Sequence, residues 1–301
     1  MGIILEAANI GTTIKRLRKM SGLSQRDLAH DICSQAQISK LEQNNEIPSA
    51  LTLFKIAQRL GVDMNYFFDV QETPRLDYVN DTKEMVRQLI RERNYSKIKE
   101  ILNGEKRNPL FQENKNKQFI LWHEAICIHY LDNKSEESID LLHKALSLTY
   151  SNNKRYYSEN EIEILNSIAI IQKDMELYEY AESNFKEGLR GLKLTTYKGN
   201  HQIKVRLLYG LSKLLTDLGR YLESLDYCKE GIQICKKHEM LYLLGELYYQ
   251  YGENCAMLGD FHNAEISFDK SIRTFDIQDN HEFIRLVKQL RDDLLGEKNL
   301  Q

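Results

Sequence analysis

One frame repeats along most of this chain, and a repeat obliges every unit to bury the same face against its neighbours. Leu218-Gly219-x-Tyr221-x-x-Ser224-x-x-x-Cys228-x-x-x-Ile232 is matched 40 residues later by Leu258-Gly259-x-Phe261-x-x-Ala264-x-x-x-Phe268-x-x-x-Ile272. The frame returns upstream as Tyr178, Ala181, Phe185 and Leu189, then as Ser138, Leu142 and Leu146, and earliest as Tyr95, Ile98 and Leu102. Five units spaced by 40 to 43 residues result. Apolar and small residues three and four apart follow the helical period, not the period of a strand. Proline agrees: the chain has only Pro48, Pro74 and Pro109, so residues 110–301 hold no helix breaker. The body therefore reads as stacked helix pairs.

The first 70 residues follow a different plan. Ile10, Ile14, Leu17 and Met20 mark a first helix ended by Ser21-Gly22. Ser24 before Gln25-Arg26-Asp27 makes an N-cap and capping box, with Asp27 at N3, leading into Leu28, Ala29 and Ile32. After Cys33-Ser34 a third segment turns Ile38 and Leu41 inward and leaves Gln35, Gln37, Ser39 and Lys40 facing out. Ser49 caps a fourth helix carrying Leu51, Leu53, Phe54, Ile56, Ala57 and Leu60, and Gly61 ends it. Lys15, Arg16, Arg18, Lys19 and Arg26 place five positive charges between residues 10 and 26 with no acid among them. The net charge of −3 hides this cluster: residues 1–70 carry 8 basic and 7 acidic groups, and the remainder 33 and 37. The polar break Gln71-Glu-Thr-Pro74-Arg75 separates the two patterns, giving a head at 1–70, a linker at 71–80 and a body at 81–301.

The order Ile14-Lys-Arg-Leu-Arg18, Gly22-Leu-Ser-Gln-Arg-Asp-Leu-Ala29, Ile38-Ser-Lys-Leu-Glu42, Pro48-Ser49, Ile56-Ala57 and Leu60-Gly-Val62 resembles the Cro/C1-type helix-turn-helix. The resemblance implies that the third helix enters the major groove with Gln35, Ala36 and Gln37 near base edges. Gln25 and its polar neighbours Arg26, Ser34, Ser39 and Lys40 would then serve phosphates and the groove rim. It also implies a structural ion pair between Arg18 and Glu42. Cys33 stands where the pattern commonly has a turn glycine, and the connection is one residue short.

The body's frame resembles the second helix of a tetratricopeptide repeat, lengthened and degenerate. The expected fold is all-α: an N-terminal helix-turn-helix joined to a right-handed α-solenoid of about five such repeats, whose groove binds peptides. Phe283, Ile284, Val287, Leu290, Leu294 and Leu295 read as a terminal amphipathic helix that caps the stack or joins a dimer contact.

A Cro/C1-type head before such repeats resembles the peptide-responsive RNPP regulators. Arg91-Glu-Arg93-Asn-Tyr95, Arg220-Tyr-Leu-Glu-Ser-Leu225 and Leu247-Tyr-Tyr-Gln-Tyr-Gly-Glu253 strengthen it, as does Tyr66-Phe-Phe-Asp-Val70 closing the head. The resemblance implies a cytoplasmic homodimeric regulator, with an activator the expected sense, that binds a palindromic double-stranded operator and a short signalling peptide. It implies that Arg91 and Arg93 meet acidic groups of the peptide and that Asn166 bonds its backbone, with Lys213 a further groove cation. Tyr209, Glu246, Tyr249 and Gln250 are additional groove candidates, and Gly210 stands where the family has another Asn. Phe68 is a hinge contact or a core residue.

Two other readings remain open at this point: repeats that dock a protein partner, and a redox-responsive regulator in which oxidation of Cys33 disturbs DNA docking. No Walker loop, His-Glu-x-x-His, G-x-S-x-G or dinucleotide fingerprint occurs, so no catalytic residue, cofactor or metal site is expected. His123 and Cys127 supply only two metal-type ligands and suit packing better. Five cysteines without C-x-x-C spacing read as reduced thiols, and no apolar run suits a membrane span.

Overall fold

The structure, a computed structural model, describes residues 10–68, 76–151, 154, 156–194 and 201–296. It divides into two compact units, Met1–Asn94 with Asn103–Asn116, and Tyr95–Leu102 with Lys117–Gln301. Every regular element among the described residues is helical.

The head holds α1 (Ile10–Met20), α2 (Gln25–Ala29), α3 (Gln35–Glu42) and α4 (Ala50–Leu60). Their starts follow from capping chemistry. Ser24 accepts from Asp27 N and Asp27 returns the bond, Ser34 accepts from Gln37 N, and Ser49 accepts from Thr52 N. Gly61 ends α4 at φ 70°, a left-handed position that glycine adopts without strain. Ile14, Leu28, Ile38, Leu41, Leu53, Ile56 and Phe67 form the core. Met20 does not join it: 74% exposed, it ends α1 beyond the last core contact. Phe67 is the buried aromatic and Phe68 is 41% exposed, which removes Phe68 from the core.

Five helix pairs follow: α5 (Leu76–Arg91) with α6 (Tyr95–Glu105), α7 (Asn114–Asp132) with α8 (Ser135–Ser147), α9 (Glu159–Asp174) with α10 (Tyr178–Leu194), α11 (His201–Asp217) with α12 (Tyr221–Lys237), and α13 (Leu244–Met257) with α14 (Phe261–Ile277). The frame aromatics Tyr95, Tyr178, Tyr221 and Phe261 are each the first residue of a second helix. The small position three residues later is fully buried in Ser138, Ala181, Ser224 and Ala264, and so is the large one beyond it in Leu142, Phe185, Cys228 and Phe268. Where the small residue is serine its hydroxyl donates to a carbonyl of the paired helix, Ser138 to Ala125 at 2.6 Å and Ser224 to Ser212 at 2.7 Å, so its burial leaves no orphan group.

The turns inside the pairs repeat as strictly as the helices. Arg93, Asn133, Glu176, Gly219 and Gly259 all take positive φ, from 54° to 79°, at the 40- and 43-residue spacing of the frame. Only two of the five are glycine. In the second unit α9, α11 and α13 pack side by side. The last helix, α15 (His281–Gly296), lays Val287, Phe283, Ile284, Leu290 and Leu294 on the core of α13 and α14, closing the stack's apolar end.

Gly210 has a packing reason. A Cβ there would stand 2.5 and 2.8 Å from Phe185 Cε1 and Cζ, so the frame phenylalanine of α10 is seated on the bare backbone of α11. A side chain at this position is incompatible with that seat. Gly210→Asn should therefore lower stability by about 1–3 kcal/mol through overpacking, read as a lower midpoint in urea unfolding; an unchanged midpoint would show that Phe185 has room to move.

Candidate functional site

The DNA-facing candidates lie on and around α3. Its buried Ile38 and Leu41 fix the helix's roll, which leaves Gln35, Ala36 and Lys40 exposed and Gln37 and Ser39 half-exposed. The short connection needs no glycine at Cys33, because the left-handed residue is Asp31 at φ 54°, and aspartate tolerates that conformation better than most. Arg59 of α4 holds the same connection, with Nη1 against the carbonyls of Asp27, Leu28 and His30.

A polar chain links this face to the interior. Arg18 Nε and Nη2 donate to the two carboxylate oxygens of Glu42 at 2.5 and 3.0 Å, and Arg18 Nη1 donates to Leu23 O at 2.7 Å. Gln25 Nε2 donates to the same carboxylate at 2.8 Å, and Gln35 Nε2 donates to Gln25 Oε1 at 2.7 Å. Gln25 thus sits between the buried ion pair and the exposed Gln35. Gln37 Nε2 reaches Glu46 at 3.3 Å, while Arg26 is exposed and Ser34 is occupied as the cap of α3.

Burial pushes the Glu42 carboxyl up, but the bonds from Arg18 and Gln25 outweigh it and hold it below its ordinary 4.5. A depressed carboxyl contributes stability that is complete above the ordinary value and is lost as pH falls through the folded one. The stability advantage of the wild-type chain over Glu42→Gln should therefore be full at neutral pH and shrink below about 4.5, measured by melting temperature across pH. A constant difference down to pH 2 would remove the ion pair from the account.

Nothing around Cys33 lowers its thiol. It packs against the head's core, and burial together with the charge of Glu46 raises its thiol above the ordinary value. The oxidation reading needed a lowered thiol and is corrected on this point. His123 and Cys127 are packing residues: the His123 ring lies against Phe119 and Trp122, tilted at 35° and 50° with centroids 4.0 and 4.3 Å away, and Cys127 Sγ lies 3.5 Å from Tyr95 O.

Of the peptide-facing candidates, Arg91 ends α5 and Arg93 is the left-handed residue of the following turn; both are exposed and belong to the first unit. The others belong to the second. Asn166 is 3% exposed and its Oδ1 has no hydrogen-bond partner. Its neighbour Ser167 accepts from Trp122 Nε1 at 2.8 Å. On α11, Tyr209 is half-buried and Lys213 exposed, and Lys213 acts electrostatically on both Asp174 and Glu253. On α13, Glu246, Tyr249, Gln250 and Glu253 share one face at i, i+3, i+4 and i+7. Burial and Glu253 push the Tyr249 phenol up to about 12. Gln250 is 2% exposed and donates to Thr216 Oγ1 and Glu253 Oε2, both at 2.8 Å, so internal bonds engage its amide.

The sequence reading missed the residues that join α9 to α11. Arg206 Nη1 donates to Glu163 at 2.9 Å, and its Nε donates to Tyr242 Oη at 2.8 Å, with the guanidinium 5.6 Å from that ring's centroid. Glu163 lies three residues before Asn166, and Arg206 three before Tyr209 and seven before Lys213. That helical spacing was the available signal. Among the described residues no group of three His, Cys, Asp or Glu is arranged to hold a metal, and no helix is long and apolar enough to cross a membrane.

A capped helix-turn-helix ahead of helical repeats defines a class of DNA-binding regulators, and the comparisons identify the family. The RNPP family C-terminal domain matches residues 83–295 and a helix-turn-helix matches residues 14–67. The chain belongs to the RNPP family. The crystal structure of Bacillus thuringiensis PlcR in complex with the peptide PapR7 and DNA is similar over 92% of this chain and 98% of that one, with TM-score 0.85 and 25% identity. ComR from S. thermophilus, solved with DNA and its signalling peptide ComS, is similar in fold over 95% of this chain and 99% of that one, with TM-score 0.68 and 15% identity. An uncharacterised HTH-type transcriptional regulator of Sinorhizobium fredii is 36% identical over 67 residues, 22% of this chain and 87% of that protein.

Proposed function

We propose that this chain is a cytoplasmic peptide-responsive transcription regulator, not an enzyme, working as a homodimer on a palindromic operator. The head reads DNA through α3, with Gln35, Ala36 and Gln37 toward base edges and Arg26, Ser34, Ser39 and Lys40 toward the backbone. Gln25 serves chiefly to position Gln35 from the buried carboxylate of Glu42. Peptide occupancy sets how the two heads meet their half-sites, most simply as activation.

The observation that carries the peptide half of this reading is Asn166 Oδ1. A buried acceptor without a partner costs about 1–3 kcal/mol, and a backbone N–H of an extended peptide is the group that relieves it. Lys213, Tyr209, Glu246, Tyr249 and Gln250 supply the surrounding polar and aromatic contacts. Arg91 and Arg93 are the anchors for acidic side chains of the ligand. A docked protein partner has no observation of its own in its favour.

Two outcomes test the two halves. Gln37→Ala should weaken specific operator binding by ~1–3 kcal/mol while non-specific DNA affinity and the melting temperature stay as in the wild type; equal operator affinity would remove Gln37 from the reading face. The double variant Arg91→Ala with Arg93→Gly relieves the turn, so it should melt no lower than wild type yet lose peptide response and keep basal DNA binding. An undiminished peptide response in that folded variant would refute the arginine anchors.

A further inference from the structure

The outer side of the fourth and fifth repeats carries a basic cleft that neither DNA nor peptide reading uses. Its volume is about 260 Å³, and it lies between α12 and α14 with α13 as its floor. Lys229 and Lys236 enter from α12, Lys270 and Asn263 from α14, and Tyr248 and Tyr251 from α13. On α13, Tyr248 and Tyr251 lie opposite the face of Glu246, Tyr249, Gln250 and Glu253, since at 100° per residue the two groups point about 180° apart. The cleft is therefore separate from the groove candidates.

Three ammonium groups converge here, and no lining residue is acidic. The surrounding body is acidic overall, with 33 basic against 37 acidic residues after position 70. Aromatic faces hold the lysines in place: Lys236 and Lys270 lie 5.9 and 5.6 Å from the centroid of the Tyr248 ring, and Lys229 lies 6.0 Å from that of Tyr251. The negative ring faces offset part of the repulsion between the lysines. The nearby carboxylates are Asp226, 3.9 Å from Lys229, and Asp260, which accepts from Asn263 Nδ2 at 2.7 Å, while Glu230 is turned to Lys204 at 2.7 Å. Two of the three positive charges thus face the cleft with no carboxylate paired to them in it.

We propose that this cleft binds a compact, multiply charged anion of the phosphorylated small-molecule class. Lysines act as point charges toward phosphate oxygens and need no planar fork. The volume falls below the roughly 300–1,000 Å³ of sites for drug-sized ligands, so the occupant is about the size of a phosphoryl or diphosphoryl group on a small scaffold. Asn263 and the buried Ser267 complete the wall with their bonds turned inward, Ser267 Oγ donating to Asn263 O and Asn263 Nδ2 to Asp260, both at 2.7 Å, so the lysines are the groups that meet the anion. The site would let a phosphorylated metabolite act on the last repeats independently of the peptide.

The test is calorimetric titration of inorganic pyrophosphate into the full-length wild-type chain and into Lys236→Gln/Lys270→Gln at matched ionic strength, with circular dichroism as the folding control. The basic head is a second anion sink common to both proteins, so the informative quantity is the difference between them. Saturable binding in the wild type that weakens at least about tenfold in the folded double variant, with peptide response intact, is the expected result. Identical isotherms, or no binding beyond that of added chloride, would overturn the proposal. Binding of an oligoglutamate peptide without binding of pyrophosphate would overturn it in favour of an acidic protein segment.

Discussion

The repeat region depends on a helix pair that cannot bury its own apolar face. The second helices of the last three pairs present an aromatic, then a small residue, then a large one, and the buried small residue lets each approach its partner closely enough for the large one to be fully covered. In the second unit, stacked pairs and a closing helix bury the faces that no pair can bury alone. The left-handed turn at Arg93, Asn133, Glu176, Gly219 and Gly259 sets the reversal that makes each pair. Because the fourth unit must seat Phe185, α11 carries a glycine at position 210, and the backbone there is shaped by packing.

The head obeys a different constraint. A bidentate Arg18–Glu42 pair inside a small core demands full hydrogen bonding, and Gln25 and Leu23 O complete it. The same requirement orients Gln25, which accepts from Gln35 on the exposed face of α3. Core electrostatics therefore reach the exposed face of α3 in two hydrogen bonds. Because Glu42 bonds Gln25 and Gln25 bonds Gln35, variants at Glu42 need folding and DNA readouts together.

Local chemistry and periodicity were legible in the sequence. Ser24, Ser49 and Gly61 act within four residues of themselves, so their cap roles follow from residue type, and the frame follows from a period that repeats without interruption. The exceptions are long-range. Glu163 and Arg206 are 43 residues apart, and their pairing depends on the register of neighbouring repeats, which no local rule supplies. The turn before α3 looked short of a glycine at Cys33 because the left-handed position had moved to Asp31, a residue that can occupy it. Met20 and Phe68 kept an apolar type and lost the core, since periodicity reports which face a residue is on and not where the core ends. The orphan acceptor on Asn166 and the lysines gathered around Tyr248 and Tyr251 emerge only from packed coordinates.

The central claim is that occupancy of the repeats governs DNA binding. The direct measurement is a titration of short acidic and aromatic heptapeptides against the full-length chain, followed by the fluorescence of Trp122, with operator affinity measured in parallel. Trp122 is the chain's single tryptophan, is 4% exposed, and bonds Ser167 beside Asn166, so its emission reports on this part of the second unit. The account predicts a peptide that binds with micromolar or tighter affinity, shifts Trp122 emission and changes operator affinity, by the coupling of about 1–3 kcal/mol usual between linked sites. DNA binding that stays the same across a broad library, whether or not peptides bind, would contradict it.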